Sequence, residues 1–157
     1  MDDLSPAAQR VLDALRERGV DATVTELPGS TRTAPEAAAA VGSEVGAIAN
    51  SLVFVADDEP LLVLTSGRHR VHERRLAERI GATAVRRATP DEVVAATGQR
   101  IGGVSPVGHP SPVRTVVDQV LGEYPAVWAA AGTPHAVYRT TLADLVRATG
   151  GEVLQVD

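Results

Sequence analysis

The chain has 157 residues, 44% of them hydrophobic and 22% charged, and contains no cysteine. This composition is typical of a folded domain of ordinary size, and it excludes a disulfide framework, a thiolate nucleophile and cysteine-ligated metal sites. All 15 basic side chains are arginine, so no Schiff base, lysine general base or P-loop lysine can form. The net charge of −5 argues against a protein that coats nucleic acid.

The first residues are acidic and lack the apolar segment of a signal peptide. No apolar run in the sequence is long enough to cross a bilayer. We therefore expect a cytoplasmic protein with one domain spanning residues 1–157 and with no membrane contact.

Helices and strands are predicted in irregular succession along the chain. Five helices are predicted: after Ser5 and ending at Gly19, after Thr33 and ending at Gly42, over 71–80, after Thr89 and ending near Gly98, and after Thr141. Strands are predicted over 22–27, 48–56, 61–65, 83–87, 113–117, 127–131, 136–140 and 153–156, with the turn 57–60 between the second and third. The absence of strict βαβ alternation favours a mixed sheet, curled toward a barrel, with helices outside. A flavodoxin-like wound sheet is the alternative.

Two polar segments near the first strands could carry chemistry. Thr33 begins a T-x-x-E capping box, and the N–H groups of the helix start could receive an anion beside Arg32. Asn50 and Ser51 interrupt an apolar strand, so they lie either at its solvated end or in a cleft.

Two glycine-containing segments later in the chain are further candidates. Gly102 and Gly103 can expose N–H groups that stabilise an oxyanion, although a tight corner explains the same glycines equally well. His135 follows Gly132 in a turn, where a histidine either contacts a ligand or is exposed without a function. The four histidines show no metal-ligand spacing, so neither a metal nor another cofactor is predicted.

Positive charge is concentrated in residues 68–87, which hold seven arginines against two glutamates. We expect Arg70 and Arg74 to share one helix face, because they are four residues apart. This segment is either a local binding surface for phosphates or a solvated helix face.

The order and spacing of several segments resemble one known family. These segments are 32–38, Gly42, 48–54, 97–98, 102–108, 117–118, 131–132 and 142–145. Together they are similar to the YbaK/ProX family of aminoacyl-tRNA deacylases, which includes the editing domain inserted in bacterial prolyl-tRNA synthetases. The resemblance implies a mixed, barrel-like sheet flanked by helices. It also implies trans-editing, which is hydrolysis of the aminoacyl ester of a mischarged tRNA by a separate protein.

The resemblance also implies site residues and partners. Catalytic roles fall on Asn50, Gly102, Gly103 and His135, which we expect to line one cleft, and substrate contacts fall on Arg32, Thr33, Ser51, Ser105, Gly132, Arg70 and Arg74. The implied partners are the acceptor end of an aminoacyl-tRNA and an aminoacyl-tRNA synthetase.

The family's catalytic lysine falls on Asn50 in this sequence. Asn50 can donate only a neutral hydrogen bond, which contributes about 1 kcal/mol less than a charged one. Two alternatives therefore stay open: a non-catalytic module that binds tRNA, a nucleotide or a synthetase, and a hydrolase of small esters.

Overall fold

A computed structural model describes residues 4–157, in which eight strands form one mixed sheet. The strands are β1 (Val24–Glu26), β2 (Ile48–Ala56), β3 (Glu59–Ser66), β4 (Val85–Arg87), β5 (Arg114–Asp118), β6 (Val127–Ala130), β7 (Ala136–Thr140) and β8 (Glu152–Leu154). Their order is β1-β7-β6-β2-β3-β5-β8, and β4 also pairs with β2. The pairs β2–β6, β3–β5 and β5–β8 are parallel and the others antiparallel. The prediction of a mixed sheet is confirmed.

In the described part of the chain, five α-helices connect and cover the strands. They are α1 (Pro6–Glu17), α2 (Ala34–Val41), α3 (Glu73–Ile80), α4 (Pro90–Thr97) and α5 (Leu142–Thr149). Thr33, Thr89 and Thr141 cap three of them, because each hydroxyl accepts a hydrogen bond from the N–H group three residues later. Among residues 4–157, no helix is long and apolar enough to cross a membrane.

The sheet is buried on both faces by helices. Alternate residues of β3 pack in opposite directions: Leu62 and Leu64 join a core with α1 and α5, whereas Leu61 and Val63 join a core with α3. All four side chains are fully buried. Helix α2 covers the end of β2 near Ile48 through its alanines. Aliphatic side chains packed closely between the sheet and the helices on its two faces thus form the core, in a chain with few aromatic residues.

The turn between β2 and β3 is tighter than the sequence predicted. Asp57 and Asp58 form a two-residue connection with φ values of 48° and 71°, and Glu59 and Pro60 already belong to β3. Positive φ at both central residues is typical of a type I′ turn, which matches the twist of a hairpin. The Asp57 carboxylate accepts hydrogen bonds from the N–H groups of Thr83 and Ala84, and these bonds lower its pKa.

The start of α3 also differs from the prediction. His72 caps this helix, because its Nδ1 accepts a hydrogen bond from Arg75 N–H at 3.2 Å. Arg70 therefore precedes the helix instead of sharing a face with Arg74, and the predicted i, i+4 arrangement of the two arginines is wrong.

We predict that Glu92→Gln will reduce stability at neutral pH more than at pH 2. The Arg86 guanidinium, followed by Thr89 N–H, lowers the pKa of Glu92 to about 2. A lowered folded-state pKa gives stability that is present above the ordinary glutamate pKa and is lost as the pH falls toward 2. Glutamine preserves the accepting oxygen of the capping box, so the variant removes the charge alone. Thermal unfolding of both proteins from pH 7 to pH 2 should show their midpoints converging. A constant difference would contradict the assignment.

Candidate functional site: a cleft at an interrupted strand edge

The candidate site lies where one edge of β2 lacks a neighbouring strand. The other edge of β2 pairs continuously with β3 from Ala49 to Ala56. On the interrupted edge, β6 pairs only with Ile48 and Ala49, and β4 pairs only with Phe54 to Ala56. Within the described residues 4–157, the segment 50–53 between them has no strand partner on this side.

Backbone direction shows which groups this gap exposes. The carbonyl oxygen of Val53 accepts a hydrogen bond from Ala88 N–H at 3.1 Å, on the side away from β3. Because backbone groups alternate in direction along a strand, those of Ser51 point to the same side. The N–H groups of Ser51 and Val53 therefore face the gap.

A cleft of about 370 Å³ occupies this gap, and both faces of the sheet contribute to it. This volume is within the range of small-molecule sites. Its wall combines the β2 segment with the start of α2, the strand end near Arg87, the glycine loop (residues 98–108) and β6. The lining includes Arg32, Thr33, Asn50, Ser51, Arg87, Ile101, Gly102 and Trp128.

The cleft carries positive charge and no carboxylate along its described lining. Arg32 and Arg87 are the ionisable side chains among the residues that line it, and both are exposed. The N-terminus of α2 also opens on the cleft through Thr33 and Ala34, which adds the positive end of a helix dipole. In a chain with a net charge of −5, this local arrangement favours an anionic ligand. Among the described residues that line the cleft, no histidine, aspartate or glutamate could act as a general base.

Comparison with known proteins gives the family. Residues 29–148 match the family described as the aminoacyl-tRNA editing domain. The chain belongs to this family. The predicted membership in an aminoacyl-tRNA editing family is confirmed, and the matched residues include all of the cleft lining.

Individual relatives of this editing domain are of two kinds. A proline–tRNA ligase of Lactobacillus gasseri is 34% identical over 120 residues, which are 70% of the chain but 21% of the ligase. The uncharacterized protein YwhH of Bacillus subtilis is 30% identical over 123 residues, which are 78% of each protein. The chain thus spans about a fifth of that ligase and most of the smaller relative.

The solved structures include a full-length match. The crystal structure of a protein proposed to be a trans-editing enzyme for prolyl-tRNA synthetase superimposes with a TM-score of 0.91 and 47% identity. The alignment covers 99% of both chains. The fold of the editing domain described above is therefore the fold of that protein.

Several predicted site residues of the editing domain lie on the cleft. Asn50 and Ser51 come from β2, Arg32 and Thr33 from the segment before α2, and Gly102 from the glycine loop. The Oγ atom of Ser51 is buried and has no hydrogen-bond partner among the described residues.

Gly103 and His135 are not among the residues that line the cleft. Gly103 is buried against the backbone of Thr133, and its N–H group donates to Arg100 carbonyl at 3.0 Å. His135 is exposed, with Nδ1 3.0 Å from the Gly29 carbonyl oxygen. The structure therefore brings together two of the four residues that we expected to share one cleft.

The turn that contains His135 holds the segment before Arg32 at the cleft. Thr31 donates from its N–H and hydroxyl groups to the Pro134 carbonyl, at 2.6 and 2.8 Å, which fixes the segment before Arg32. The preceding Gly132 packs against α1, with the position of an added Cβ 2.9 Å from the Ala7 carbonyl oxygen. Gly132 therefore lies away from the cleft lining.

Ser105 lies inside the loop and is not among the residues that line the cleft. Its side chain is fully buried, and its hydroxyl donates to the Val107 carbonyl beside the amide of Gln99. These internal bonds hold the hydroxyl in the loop.

The arginines of the segment 68–87 are divided among different environments. Arg68 pairs with Glu123 and Tyr124, Arg79 donates to two C-terminal carbonyls, and Arg86 pairs with Glu92. Arg70 and Arg74 are exposed and lie outside the cleft lining.

Arg87 and Trp128 are cleft residues that the sequence did not single out as such. Arg87 reaches the cleft because β4 pairs with the end of β2, and Trp128 because β6 pairs with its beginning. These pairings join segments about 30 and 80 residues apart in the chain. No local pattern predicts that register.

Proposed function

We propose that the cleft binds the 3′ end of a mischarged tRNA and that the chain hydrolyses its aminoacyl ester in trans. The observation that carries this proposal is the interrupted edge of β2, which turns the N–H groups of Ser51 and Val53 toward a positively charged cleft of an editing domain. The N–H groups can donate hydrogen bonds to an ester carbonyl, and the cleft arginines can bind the phosphates of the terminal nucleotides.

In the proposed reaction, water adds to the ester carbonyl and the bond to the ribose oxygen breaks. The negative charge that develops on the carbonyl oxygen is stabilised by backbone N–H groups, a contribution that costs no reorganisation. Ser51 and Val53 on β2 and Gly102 on the loop are the donors we assign. The N–H group of Gly103 is already bonded to Arg100, so its contribution is to hold the loop.

Proton transfer in this proposal relies on the substrate and solvent. Because the described cleft lining has no histidine or carboxylate, the ribose hydroxyl beside the ester and bulk water are the available proton carriers. Asn50 orients the carbonyl or the terminal nucleotide through its amide. His135 acts indirectly, by holding the segment that leads to Arg32.

The inner wall of the cleft favours a small, neutral amino acid. Val53, Val93 and Val104 line it, and none of them can pair with a charge. The buried hydroxyl of Ser51 is the polar group on this side, and it can bond to an atom of the aminoacyl moiety. Leaving such a hydroxyl unpaired costs roughly 1–3 kcal/mol, which a bonded substrate recovers.

The tRNA body and the synthetase are proposed partners outside the cleft. Arg70 and Arg74 would contact phosphates beyond the terminal nucleotides, because they are exposed and have no carboxylate partner among the described residues. The similarity to part of a proline–tRNA ligase suggests a proline tRNA as the substrate. It also suggests, as the partner, the proline–tRNA ligase that charges this tRNA.

We expect Asn50→Lys to retain or increase deacylation. The lysine would add a charged donor to a carboxylate-free cleft, and one charged hydrogen bond in place of a neutral one corresponds to a severalfold higher rate. The rate on one mischarged tRNA should be compared between wild type, Asn50→Lys and Asn50→Ala. A severe loss in Asn50→Lys with an unchanged circular dichroism spectrum would show that the cleft requires asparagine.

The proposed function is tested with a panel of proline tRNAs, each charged with a different small neutral amino acid. The purified chain should release at least one of these amino acids faster than spontaneous hydrolysis in buffer does. It should release proline from the correctly charged tRNA more slowly than it releases that amino acid. Binding of the panel without release would instead favour a non-catalytic module, which the asparagine at position 50 makes the second candidate.

A further inference from the structure

Arg87, one of the two arginines on the cleft lining, contacts an aromatic ring. Arg87 lies in β4 opposite Phe54 of β2, and its guanidinium carbon is 5.4 Å from the centre of the Phe54 ring. A cation over an aromatic face is attracted to the ring, which orients the side chain. This contact holds a positive charge along the cleft wall.

The two neighbouring arginines of β4 point to opposite faces of the sheet. Arg86 makes a two-bond ion pair with Glu92, with distances of 2.8 and 2.9 Å, and does not line the cleft. Arg87 lines the cleft and forms no ion pair within the described part of the chain. Arg87 is thus available to a ligand, whereas Arg86 is already occupied.

The distance along β2 identifies which part of a ligand Arg87 can reach. Asn50, Leu52 and Phe54 point to the same face, because side chains alternate along a strand. At about 3.4 Å per residue, the Cα atoms of Asn50 and Phe54 are roughly 14 Å apart. A ligand that contacts both Asn50 and Arg87 is therefore longer than an aminoacyl group and has the dimensions of a nucleotide.

We propose that Arg87 binds a phosphate of the terminal nucleotides while the ester lies beside Asn50. This proposal rests on the proposed function and adds a positioning residue to it. The planar guanidinium of Arg87 can donate two parallel hydrogen bonds to a phosphate, a geometry that lysine lacks. In a chain without lysine, β4 thus supplies the positive charge that β2 does not carry.

The test compares Arg87→Gln with Arg86→Gln, which removes the same charge from the adjacent position. For a mischarged tRNA, Arg87→Gln should raise KM about tenfold with little change in kcat, as expected for the loss of one charged hydrogen bond. The slope of log affinity against log salt should decrease by about 0.7–0.9, the value for one phosphate contact. Arg86→Gln should leave KM and the slope near those of wild type. Arg87→Lys should restore the slope.

Two further measurements distinguish phosphate binding by Arg87 from a purely structural role. Hydrolysis of a minimal aminoacyl ester without phosphate should be equal in wild type and Arg87→Gln, which a structural role through Phe54 would not give. Unchanged KM and slope in Arg87→Gln, or equal losses in both variants, would overturn the proposal. Affinity for uncharged tRNA is measured in the same variants, so Arg87 can be tested even if no deacylation is found and the proposed function fails.

Discussion

Gly103→Val is expected to destabilise the fold and abolish deacylation together. A Cβ atom at position 103 would lie 2.7 Å from the carbonyl carbon of Thr133, 2.9 Å from its Cα and 3.0 Å from Pro134 N. These are backbone atoms of the turn that accepts the hydrogen bonds from Thr31. They cannot move aside without breaking those bonds, which hold the segment before Arg32. Overpacking of this kind costs about 1–3 kcal/mol, and valine adds two further methyl groups. Urea unfolding and deacylation measured on the same sample would show both losses.

Gly29→Ala is the matched control for this variant. An added Cβ there meets nothing within 4 Å, and the residue has no positive φ. It should change neither the urea midpoint nor the rate. If Gly103→Val unfolds at the wild-type urea concentration, the contact between the glycine loop and the Thr133–Pro134 turn is not as close as the structure shows.

Gly102→Ala is expected to reduce activity far more than its cost in stability explains. Gly102 has φ of +92°, which strains an L residue by about 1–3 kcal/mol. The added Cβ would also lie 2.8 Å from Cγ of Arg32, a flexible side chain that must move. Displacing both Arg32 and the Gly102 N–H should lower kcat/KM by roughly 10²-fold, since the loss of one oxyanion donor alone costs about that much.

Gly81→Ala separates strain from the effect on the cleft. Gly81 has φ of +75° at the end of α3, and an added Cβ there meets nothing within 4 Å. It should lower the urea midpoint to a similar degree and leave kcat/KM unchanged in native buffer. Equal activity of the two variants would remove Gly102 from the proposed site.

The elements that the sequence predicted well are those with local determinants. Thr33, Thr89 and Thr141 accept hydrogen bonds within the first helical turn, and glycines in the left-handed conformation end four of the five helices. These signals act over three or four residues, so a single sequence contains them fully. The start of α3 was misplaced because histidine rarely provides the cap that His72 forms there.

The cleft depends on long-range register, which no local pattern contains. Asn50 and Ser51 stood out because they interrupt an apolar strand, and they do lie on the cleft. Arg87 looked like one more charge in a basic segment, and only the pairing of β4 with Phe54 brings it to the site. Ser105 lies within the glycine loop like Gly102, but its side chain turns inward to Gln99. Residue type and position in the sequence cannot distinguish these two orientations.

The location of a hydrolysis-resistant substrate analogue tests the central claim most directly. In the analogue, an amide replaces the ester between a small amino acid and the 3′ carbon of adenosine 5′-monophosphate. A crystal structure of the complex should show its carbonyl oxygen within hydrogen-bonding distance of the Ser51 or Val53 N–H group. Its phosphate should lie toward Arg87. An analogue bound elsewhere, for example in the groove beside Arg18 and His109, would contradict the assignment of the β2 cleft as the site of ester hydrolysis.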